Sequence, residues 1–268
     1  MTERVQLALT IAGSDSGGGA GIQADLKTFQ MRGVFGTSVL TAVTAQNTLG
    51  VSAVQMLPTD IIRQQITAVR EDFQIRAFKL GMLGTAEVIE CVAEELADCR
   101  FGPLVLDPVM IAKGGASLLA ASAVDAMKRC LLPHTDVLTP NLPEAEALTG
   151  IYIETRQDAE RAARLLQEMG VRHVVMKGGH LHNSQSQMCT DWLFTDDDVM
   201  ELTEPRFPTV HTHGTGCTFS ACLTAELAKG YGVTEAVQTA KRYISAAISQ
   251  PLDIGAGHGP VNHWAYRD

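Results

Sequence analysis

The chain of 268 residues is 46% apolar, enough to bury one sizeable core, so we expect residues 1–268 to form a single domain. Its formal charge of -9, without a cluster of Lys and Arg, argues against a general nucleic-acid binder and favours a small ligand. The apolar runs are too short to span a membrane and MTERVQL lacks a signal-peptide core, which predicts a cytoplasmic protein.

Strand-like and helix-like patterns alternate along the chain. In order, we predict strand VQLALTIAG, helix 21–32, strand GTSVLTAV, helix 59–72, strand RAFKLG, helix 85–97, strand GPLVLDPV, helix 117–131, strand TDVLTP, helix 155–169 and strand RHVVMKGG. Continuous apolar runs are typical of strands buried on both faces, and their alternation with helices predicts an α/β fold with a parallel sheet. A capping box at Thr155 and Asp158 and a terminal Gly170 support the last helix. Residues 180–186 are predicted to form an exposed loop.

The unusual residues follow the strands, where an open α/β sheet binds its ligands. After the first strand, the glycine-rich segment 13–21 can cradle a phosphate or let the backbone approach a flat ligand. It matches neither the dinucleotide nor the Walker fingerprint, and a tight strand-to-helix turn is the alternative interpretation. Nearby Ser14, Asp15 and Asp25 favour the ligand cradle.

A second polar group lies in TPNLPEAEAL. Asn141 follows a strand and Glu144 comes one helical turn later, so their oxygens can converge on Mg²⁺. The alternative is an ordinary helix N-terminus, where acidic residues are favourable anyway. Lys177, at the end of a buried strand, is predicted to meet an anion.

Histidines and cysteines offer few metal ligands. The pairs His180/His182 and His211/His213 are interpreted as non-metal, because pairs in a polar loop usually face solvent and no third ligand is evident. The six cysteines form no C-x-x-C pair, which predicts reduced thiols.

The most specific stretch is HTHGTGCTFSACLTAELAKG. Gly214, Thr215 and Gly216 precede an apolar-periodic helix whose first N–H groups would form an anion hole. Those amides should stabilise charge on a transferring phosphoryl group and lower the pKa of Cys217, which favours a base or nucleophile there. The alternative is a packing role, as we assume for Cys222.

Several motifs now stand in a recognisable order: GSDSGGGAGIQADLKTF, TAVTAQNTLGV, KLGMLG, VLDPVM, TPNLPEAEAL, MKGGHL and HGTGCTFSA. Together they resemble the hydroxymethylpyrimidine/phosphomethylpyrimidine kinases of thiamin biosynthesis, within the ribokinase-like superfamily. The resemblance covers nearly the whole chain. It implies an α/β/α sandwich around a mostly parallel sheet, usually a homodimer, that uses ATP and Mg²⁺ to phosphorylate 4-amino-5-hydroxymethyl-2-methylpyrimidine and then its monophosphate.

The resemblance also implies residue roles. Cys217 takes the place of the aspartate that serves as base in most ribokinase-like enzymes, with Gly214, Thr215 and Gly216 forming the catalytic anion hole. Gln46 would contact the aminopyrimidine, and the pocket would be lined by Gly13, Asp25, Met82 and Val109. Asp107, Asn141 and Glu144 would organise Mg²⁺ and phosphates, with Lys177, Gly214 and Gly216 near the nucleotide. An extra glycine in residues 16–19 departs from many relatives and puts affinity in question.

Three other functions compete with this interpretation. Pyridoxine, pyridoxal or pyridoxamine kinase is the nearest, because some relatives with the same G-T-G-C act on those rings. A catalytically silent pyrimidine-binding regulator is disfavoured by the intact Asn141, Glu144, Lys177 and Cys217. A dinucleotide-dependent dehydrogenase is disfavoured by the missing fingerprint.

Overall fold

The structure, a computed structural model, describes residues 5–97, 99, 101–110, 121–178 and 187–266. Within these ranges, nine strands form one sheet. They are β1 (Leu7–Asp15), β2 (Phe35–Asn47), β3 (Gly50–Met56), β4 (Ala77–Leu80), β5 (Leu104–Leu106), β6 (Val137–Leu138), β7 (His173–Met176), β8 (Met188–Phe194) and β9 (Val199–Pro205).

The strands lie in the order β3-β2-β1-β4-β5-β6-β7-β8-β9. Those from β2 to β7 pair in parallel, whereas β3, β8 and β9 are antiparallel to their neighbours. The chain winds outward in opposite directions from β1, which creates a switch point between β1 and β4. Ligands of open α/β sheets bind at the carboxyl ends of the strands beside such a point.

Helices cover both faces of the sheet. The described helices are α1 (Gly21–Met31), α2 (Thr59–Asp72), α3 (Ala86–Ala97), α4 (Ala121–Cys130), α5 (Leu142–Thr149), α6 (Arg156–Glu168), α7 (Thr215–Ala228) and α8 (Val233–Ser249). One core packs α2 to α6 on one face, and a second core packs α1, α7 and α8 on the other. This arrangement confirms the expected α/β/α sandwich with a mostly parallel sheet.

Apolar spacing explains how the helices dock. In α2, Ile62, Ile66 and Val69 are buried while the opposite side of the helix faces solvent. Burying each of these side chains contributes roughly 1.5–3 kcal/mol before the cost of ordering the chain. In α7, all residues from Thr218 to Ala228 are buried, so this helix forms the centre of its layer.

Most predicted elements are confirmed. All six predicted strands are present, and helix α2 spans the predicted 59–72. Thr155 caps α6 through the predicted capping box with Asp158, and Gly170 follows it with φ +104°. Helix α4 is described only from residue 121, because 111–120 lie outside the described residues. The predicted loop 180–186 and its histidines also lie outside them.

Candidate active site

A cavity of about 510 Å³ opens at the carboxyl ends of the parallel strands. Its walls include nearly every residue singled out in the sequence: Gly13, Gln46, Met82, Asp107, Val109, Asn141, Glu144, Lys177, Gly214, Thr215, Gly216 and Cys217. The cavity also extends past the predicted residues along Phe207, Phe219, Ile244 and Ile248. Strand-end positions therefore come together in one site, as the fold class predicts.

Helix α7 aims its N-terminus at this cavity. Gly214 is its N-cap with φ +81°, and an added Cβ there would overlap the Gly19 carbonyl oxygen. The first-turn amides of an α-helix have no partner within the helix. Gly216 and Cys217 occupy that turn and line the cavity, which places their amides where the predicted anion hole requires them.

The expected low pKa of Cys217 is wrong for the unliganded protein. Burial raises the pKa of the Cys217 thiol to about 11. Lys79 opposes this rise, whereas Asp25 and Asp107 add to it. Lys79 and the donating Gly21 amide together do not outweigh desolvation. Cys217 is therefore a thiol near neutral pH when no ligand is bound.

Asp25 does not line the cavity as the resemblance implies. Its carboxylate is fully buried, 2.8 Å from Lys79 Nζ, and accepts a hydrogen bond from Thr10 Oγ1 at 2.6 Å. Lys79 is the member of this pair that faces the cavity, and its Nζ lies 3.5 Å from the Cys217 carbonyl oxygen. Asp25 therefore affects the site only through its ion pair with Lys79. Lys79 in turn supplies a positive charge beside the backbone carbonyl of Cys217.

A second ion pair lies on the cavity wall. Lys177 Nζ is 3.1 Å from Asp107 Oδ1, and Ser220 Oγ is 3.2 Å from Asp107 Oδ2. Burial opposes ionisation of Asp107, but Lys177 and Lys79 outweigh it and lower its pKa. The predicted meeting of Lys177 with an anion is thus satisfied internally by a carboxylate.

Asn141 and Glu144 form a reciprocal capping box at the start of α5. Asn141 Oδ1 accepts from the Glu144 amide at 2.8 Å, and Glu144 Oε2 accepts from the Asn141 amide at 2.8 Å. Both residues also line the cavity. Burial raises the pKa of Glu144 to about 7; Lys177 opposes the rise and the charge of Asp107 adds to it. The helix-start interpretation is therefore confirmed, and the carboxylate is in addition placed where a cation would relieve its electrostatic cost.

Several amides of the glycine-rich loop donate hydrogen bonds to the carboxylate of Asp15, which lies in the same segment. Asp15 accepts hydrogen bonds from the amides of Gly17, Gly19 and Ala20, at 2.8, 3.0 and 2.8 Å. These three amides are engaged by Asp15 and do not form the phosphate cradle considered from the sequence. The loop instead shapes the cavity beside the end of β1.

The expectation that His211 and His213 face solvent is wrong. His213 is buried with Nε2 2.9 Å from Asp15 Oδ2, and His211 Nε2 lies 3.2 Å from Asp253 Oδ1. Neither belongs to a metal cluster; the described residues contain no group of three or more His, Cys, Asp or Glu able to hold a metal. All six cysteines are free thiols, as predicted.

Sequence reasoning missed Lys79 and His213. A lysine inside the buried strand RAFKLG is itself a signal, because an ionised side chain is buried only when it is paired. His213 carries no comparable signal, because its partner Asp15 is 198 positions away.

In the described part of the chain, no helix combines the length and apolar character needed to cross a bilayer. This finding agrees with the short apolar runs of the sequence.

Known proteins are similar to this chain in sequence and in fold. The family model of phosphomethylpyrimidine kinase matches residues 15–262. A hydroxymethylpyrimidine/phosphomethylpyrimidine kinase from Haemophilus influenzae is 65% identical over 98% of both chains. The ADP complex of Bacillus subtilis pyridoxal kinase superposes with a TM-score of 0.89 at 39% identity, covering 98% of both chains. Staphylococcus aureus pyridoxal kinase with AMP-PCP and pyridoxal has a TM-score of 0.90 at 36% identity, covering 98% of this chain and 95% of the other. The chain therefore belongs to the phosphomethylpyrimidine kinase family, whose members are ATP-dependent kinases.

Proposed function

We propose that this chain phosphorylates 4-amino-5-hydroxymethyl-2-methylpyrimidine with ATP and then phosphorylates the monophosphate to the diphosphate. The observation that carries the proposal is the presence, in one cavity, of the Gln46 amide and the N-terminus of α7 with Cys217. The first can recognise an aminopyrimidine and the second can support phosphoryl transfer. The name of the relative from Haemophilus influenzae supports the same substrate.

The pyrimidine is expected at the Gln46 end of the cavity. A primary amide can donate to a ring nitrogen and accept from the exocyclic amine. Met82 and Val109 supply apolar walls, and Gly13 leaves room because a Cβ there would lie 3.3 Å from Met82 Sδ. These contacts suit a flat ring with one polar edge.

Phosphoryl transfer is expected at the Cys217 end of the cavity. The hydroxymethyl oxygen forms a bond to the γ-phosphorus of ATP while the bond to the β,γ-bridging oxygen breaks, and the hydroxyl proton passes to the thiolate of Cys217. The amides of Gly216 and Cys217 and the Lys177 ammonium meet the charge on the phosphoryl oxygens. Lys79 stabilises the thiolate, which is the reactive but minor form of Cys217.

The donor set of this cavity fits Mg²⁺. Mg²⁺ takes oxygen ligands and is often held by one or two carboxylates together with phosphates and water. Glu144 and Asp107 are carboxylates on the cavity wall, with Asn141 beside them, and we propose that they hold the ion. When bound with ATP, Mg²⁺ supplies positive charge that neutralises the phosphates.

A direct assay tests the function. The protein is incubated with Mg-ATP and the aminopyrimidine alcohol, and mono- and diphosphate are resolved by mass spectrometry. Absence of both products would reject the proposal. Pyridoxal is assayed in parallel, because the pyridoxal kinase structures above share this fold at TM-scores of 0.89 and 0.90; a higher kcat/KM on pyridoxal would favour that second function.

Recognition by Gln46 is tested by a variant. Gln46→Leu leaves the polar edge of the ring unpaired, which should weaken binding by roughly 1–3 kcal/mol without unfolding the protein. Isothermal titration calorimetry with the aminopyrimidine alcohol measures the loss. Unchanged affinity would remove Gln46 from the substrate site.

We also propose that residues 1–268 form one domain and that two copies of the chain form a homodimer. We propose the cytoplasm as its location. Support for the dimer comes from the hairpin β2–β3, which ends the sheet with β3 and exposes the side chains of Val43, Leu49 and Val54. Exposed apolar edge strands are usually covered by another chain or element.

A further inference from the structure

The Gln46 side chain sits in a chain of hydrogen-bonding groups within the cavity wall. Its amide nitrogen lies 3.3 Å from His213 Nε2, and its amide oxygen lies 3.2 Å from Thr44 Oγ1. His213 Nε2 also lies 2.9 Å from Asp15 Oδ2, and Thr44 Oγ1 lies 3.0 Å from the Ser14 carbonyl oxygen. Each end of the Gln46 amide therefore lies next to a group that has a second hydrogen-bond partner. That partner is Asp15 for His213 and the Ser14 carbonyl for Thr44.

His213 must present a hydrogen at Nε2. Asp15 is an ionised carboxylate: burial opposes its charge, but His213 and the Gly17 and Ala20 amides lower its pKa. A carboxylate only accepts hydrogen bonds, so the nitrogen 2.9 Å from it must be the donor. A protonated Nε2 has no lone pair for the Gln46 NH₂ group 3.3 Å away, so this nitrogen favours the amide oxygen as its neighbour, with the N–H shared between Asp15 and Gln46.

Thr44 must present a lone pair. Its single hydroxyl hydrogen goes to the Ser14 carbonyl, which cannot donate. What remains on Thr44 Oγ1 for Gln46 is an acceptor site. Both neighbours thus require the same amide orientation, with the oxygen towards His213 and the nitrogen towards Thr44. The amide oxygen and nitrogen are nearly equal in size, so half a turn satisfies both without changing the distances.

We propose that His213, held by Asp15, is a specificity-determining positioning residue that locks the Gln46 amide with its oxygen towards His213. This inference rests on the proposed aminopyrimidine substrate. In that orientation one N–H and one oxygen lone pair remain for a ligand. The reacting hydroxymethyl group fixes the position of the ring, so an amide held in the one orientation that pairs with a ring nitrogen beside an exocyclic amine would mismatch the reversed donor and acceptor order of a ring N–H beside a carbonyl.

Hydrogen bonds fix the backbones of both Gln46 and His213. The Gln46 backbone is fixed at both groups: its amide donates to Ser16 Oγ, and Ser16 Oγ donates to its carbonyl, both at 2.8 Å. His213 donates its backbone amide to the Gly259 carbonyl at 3.1 Å and accepts from the Val261 amide at 3.2 Å. With both backbones fixed, the Gln46 side-chain amide can still exchange the positions of its oxygen and nitrogen by rotation. The contact with His213 disfavours that rotation.

The test compares two substrates of opposite polarity. One is 4-amino-5-hydroxymethyl-2-methylpyrimidine, and the other is its 4-oxo analogue, which carries a ring N–H beside a carbonyl. We expect the parent protein to favour the amino compound by at least about 10²-fold in kcat/KM, because mismatched buried hydrogen bonds are strongly rejected. In His213→Leu only Thr44 still favours this orientation, so the amide can turn more readily and the ratio should fall at least about tenfold.

Matched variants separate the lock from general damage. His213→Gln keeps an N–H donor for Asp15 and should retain most of the ratio. His211→Leu alters the same loop, but His211 contacts Gly259 and Asp253 rather than Gln46, so the ratio should stay unchanged. If His213→Leu does not fold, Thr44→Val removes the acceptor at the other end of the amide and should lower the ratio instead.

The outcomes are distinct. Equal loss on both substrates in His213→Leu, or in Thr44→Val where that variant replaces it, overturns the inference and leaves the proposed function standing. Equal turnover of both substrates by the parent protein also overturns it. If the parent phosphorylates neither pyrimidine, the proposed function fails and the inference falls with it.

Discussion

At the scale of single residues, Cys217 combines a favourable position with an unfavourable ionisation state. It lies at the N-terminus of α7 within the cavity, yet burial holds its pKa at about 11 in the unliganded protein. The charge of Lys79 and the hydrogen bond from the Gly21 amide are too weak to offset the loss of hydration. The small thiolate fraction should therefore limit the chemical step.

Turnover should consequently depend on pH and on the thiol. Below a pKa of about 11 the thiolate fraction rises about tenfold per pH unit. The rate of single turnovers should follow it from roughly pH 6 to 9. Cys217→Ala should lower that rate by about 10²–10⁴ and leave the affinity for the alcohol unchanged.

Cys217→Asp is the informative comparison. It restores the commoner base of the superfamily and should recover part of the rate while flattening the pH profile, because a carboxylate ionises at lower pH. A flat profile in the parent, or nearly full turnover in Cys217→Ala, would show that the α7 amides act without Cys217 as base.

Glu144 allows a prediction about stability. Its folded-state pKa of about 7 lies above the ordinary 4.5, so the folded state holds the proton more tightly than the unfolded chain. Stability must therefore fall as pH rises from about 4.5 to 7, by about 1–3 kcal/mol. Glu144→Gln keeps the capping box and removes this loss. In urea unfolding without ATP, the difference between the free energies of unfolding of variant and parent should change by roughly that amount between pH 5 and 8. A difference that stays constant over this range would contradict the raised pKa.

The same substitution should weaken the use of Mg²⁺. A neutral amide attracts a cation less than a carboxylate does, so Glu144→Gln should require a higher Mg²⁺ concentration for half-maximal rate. Glu146→Gln is the control, because Glu146 lies on the same helix but instead accepts from the Ile153 amide at 2.8 Å. Identical titrations for Glu144→Gln and the parent would restrict Glu144 to its capping role.

At the scale of elements, the sequence predicts the buried strands and regular helices better than the edges. Strands β1 and β4 to β7 are short apolar runs buried in the sheet, which is the pattern that identifies them. Strand β3 was missed because its residues are largely exposed and it pairs on only one side. Strands β8 and β9 form an antiparallel hairpin whose polar residues interrupt the apolar pattern.

The start of α7 depends on one glycine. Gly214 has φ +81°, and a Cβ would overlap the Gly19 carbonyl oxygen. Gly214→Ala should therefore cost at least roughly 1–3 kcal/mol and displace the anion hole, so that kcat falls as well. Gly33→Ala is the control, because Gly33 has φ +70° with nothing within 4 Å of a Cβ. Urea unfolding should show the larger loss in Gly214→Ala; equal losses would mean that backbone strain alone, without the overlap, explains the effect.

At the scale of the whole molecule, the sequence predicts where the site lies but not how its polar groups pair. Strand-end positions identify the cavity because parallel strands share one edge. The contacts within it join distant segments: Asp15 with His213 across 198 positions, and Lys79 with Asp25 across 54. No local pattern encodes such pairs. The resemblance implied that Asp25 lines the cavity, and the polar setting of His213 predicted a solvent-facing side chain; neither could reveal the buried partners.

Assembly provides the last prediction. Leu49 and Val54 are 73% and 44% exposed on the β2–β3 hairpin, at the edge of the sheet, where an unpaired strand invites another chain. If this edge forms the homodimer, the double variant Leu49→Asp, Val54→Lys should sediment as a monomer while the parent sediments as a dimer, because buried unpaired charges oppose association. Tyr152→Asp is the control, since Tyr152 is 62% exposed but follows α5, which packs by the opposite half of the sheet. Sedimentation velocity at several concentrations distinguishes the two species. A dimer that survives the double substitution would place the interface elsewhere, and a monomeric parent would remove the dimer from the proposal.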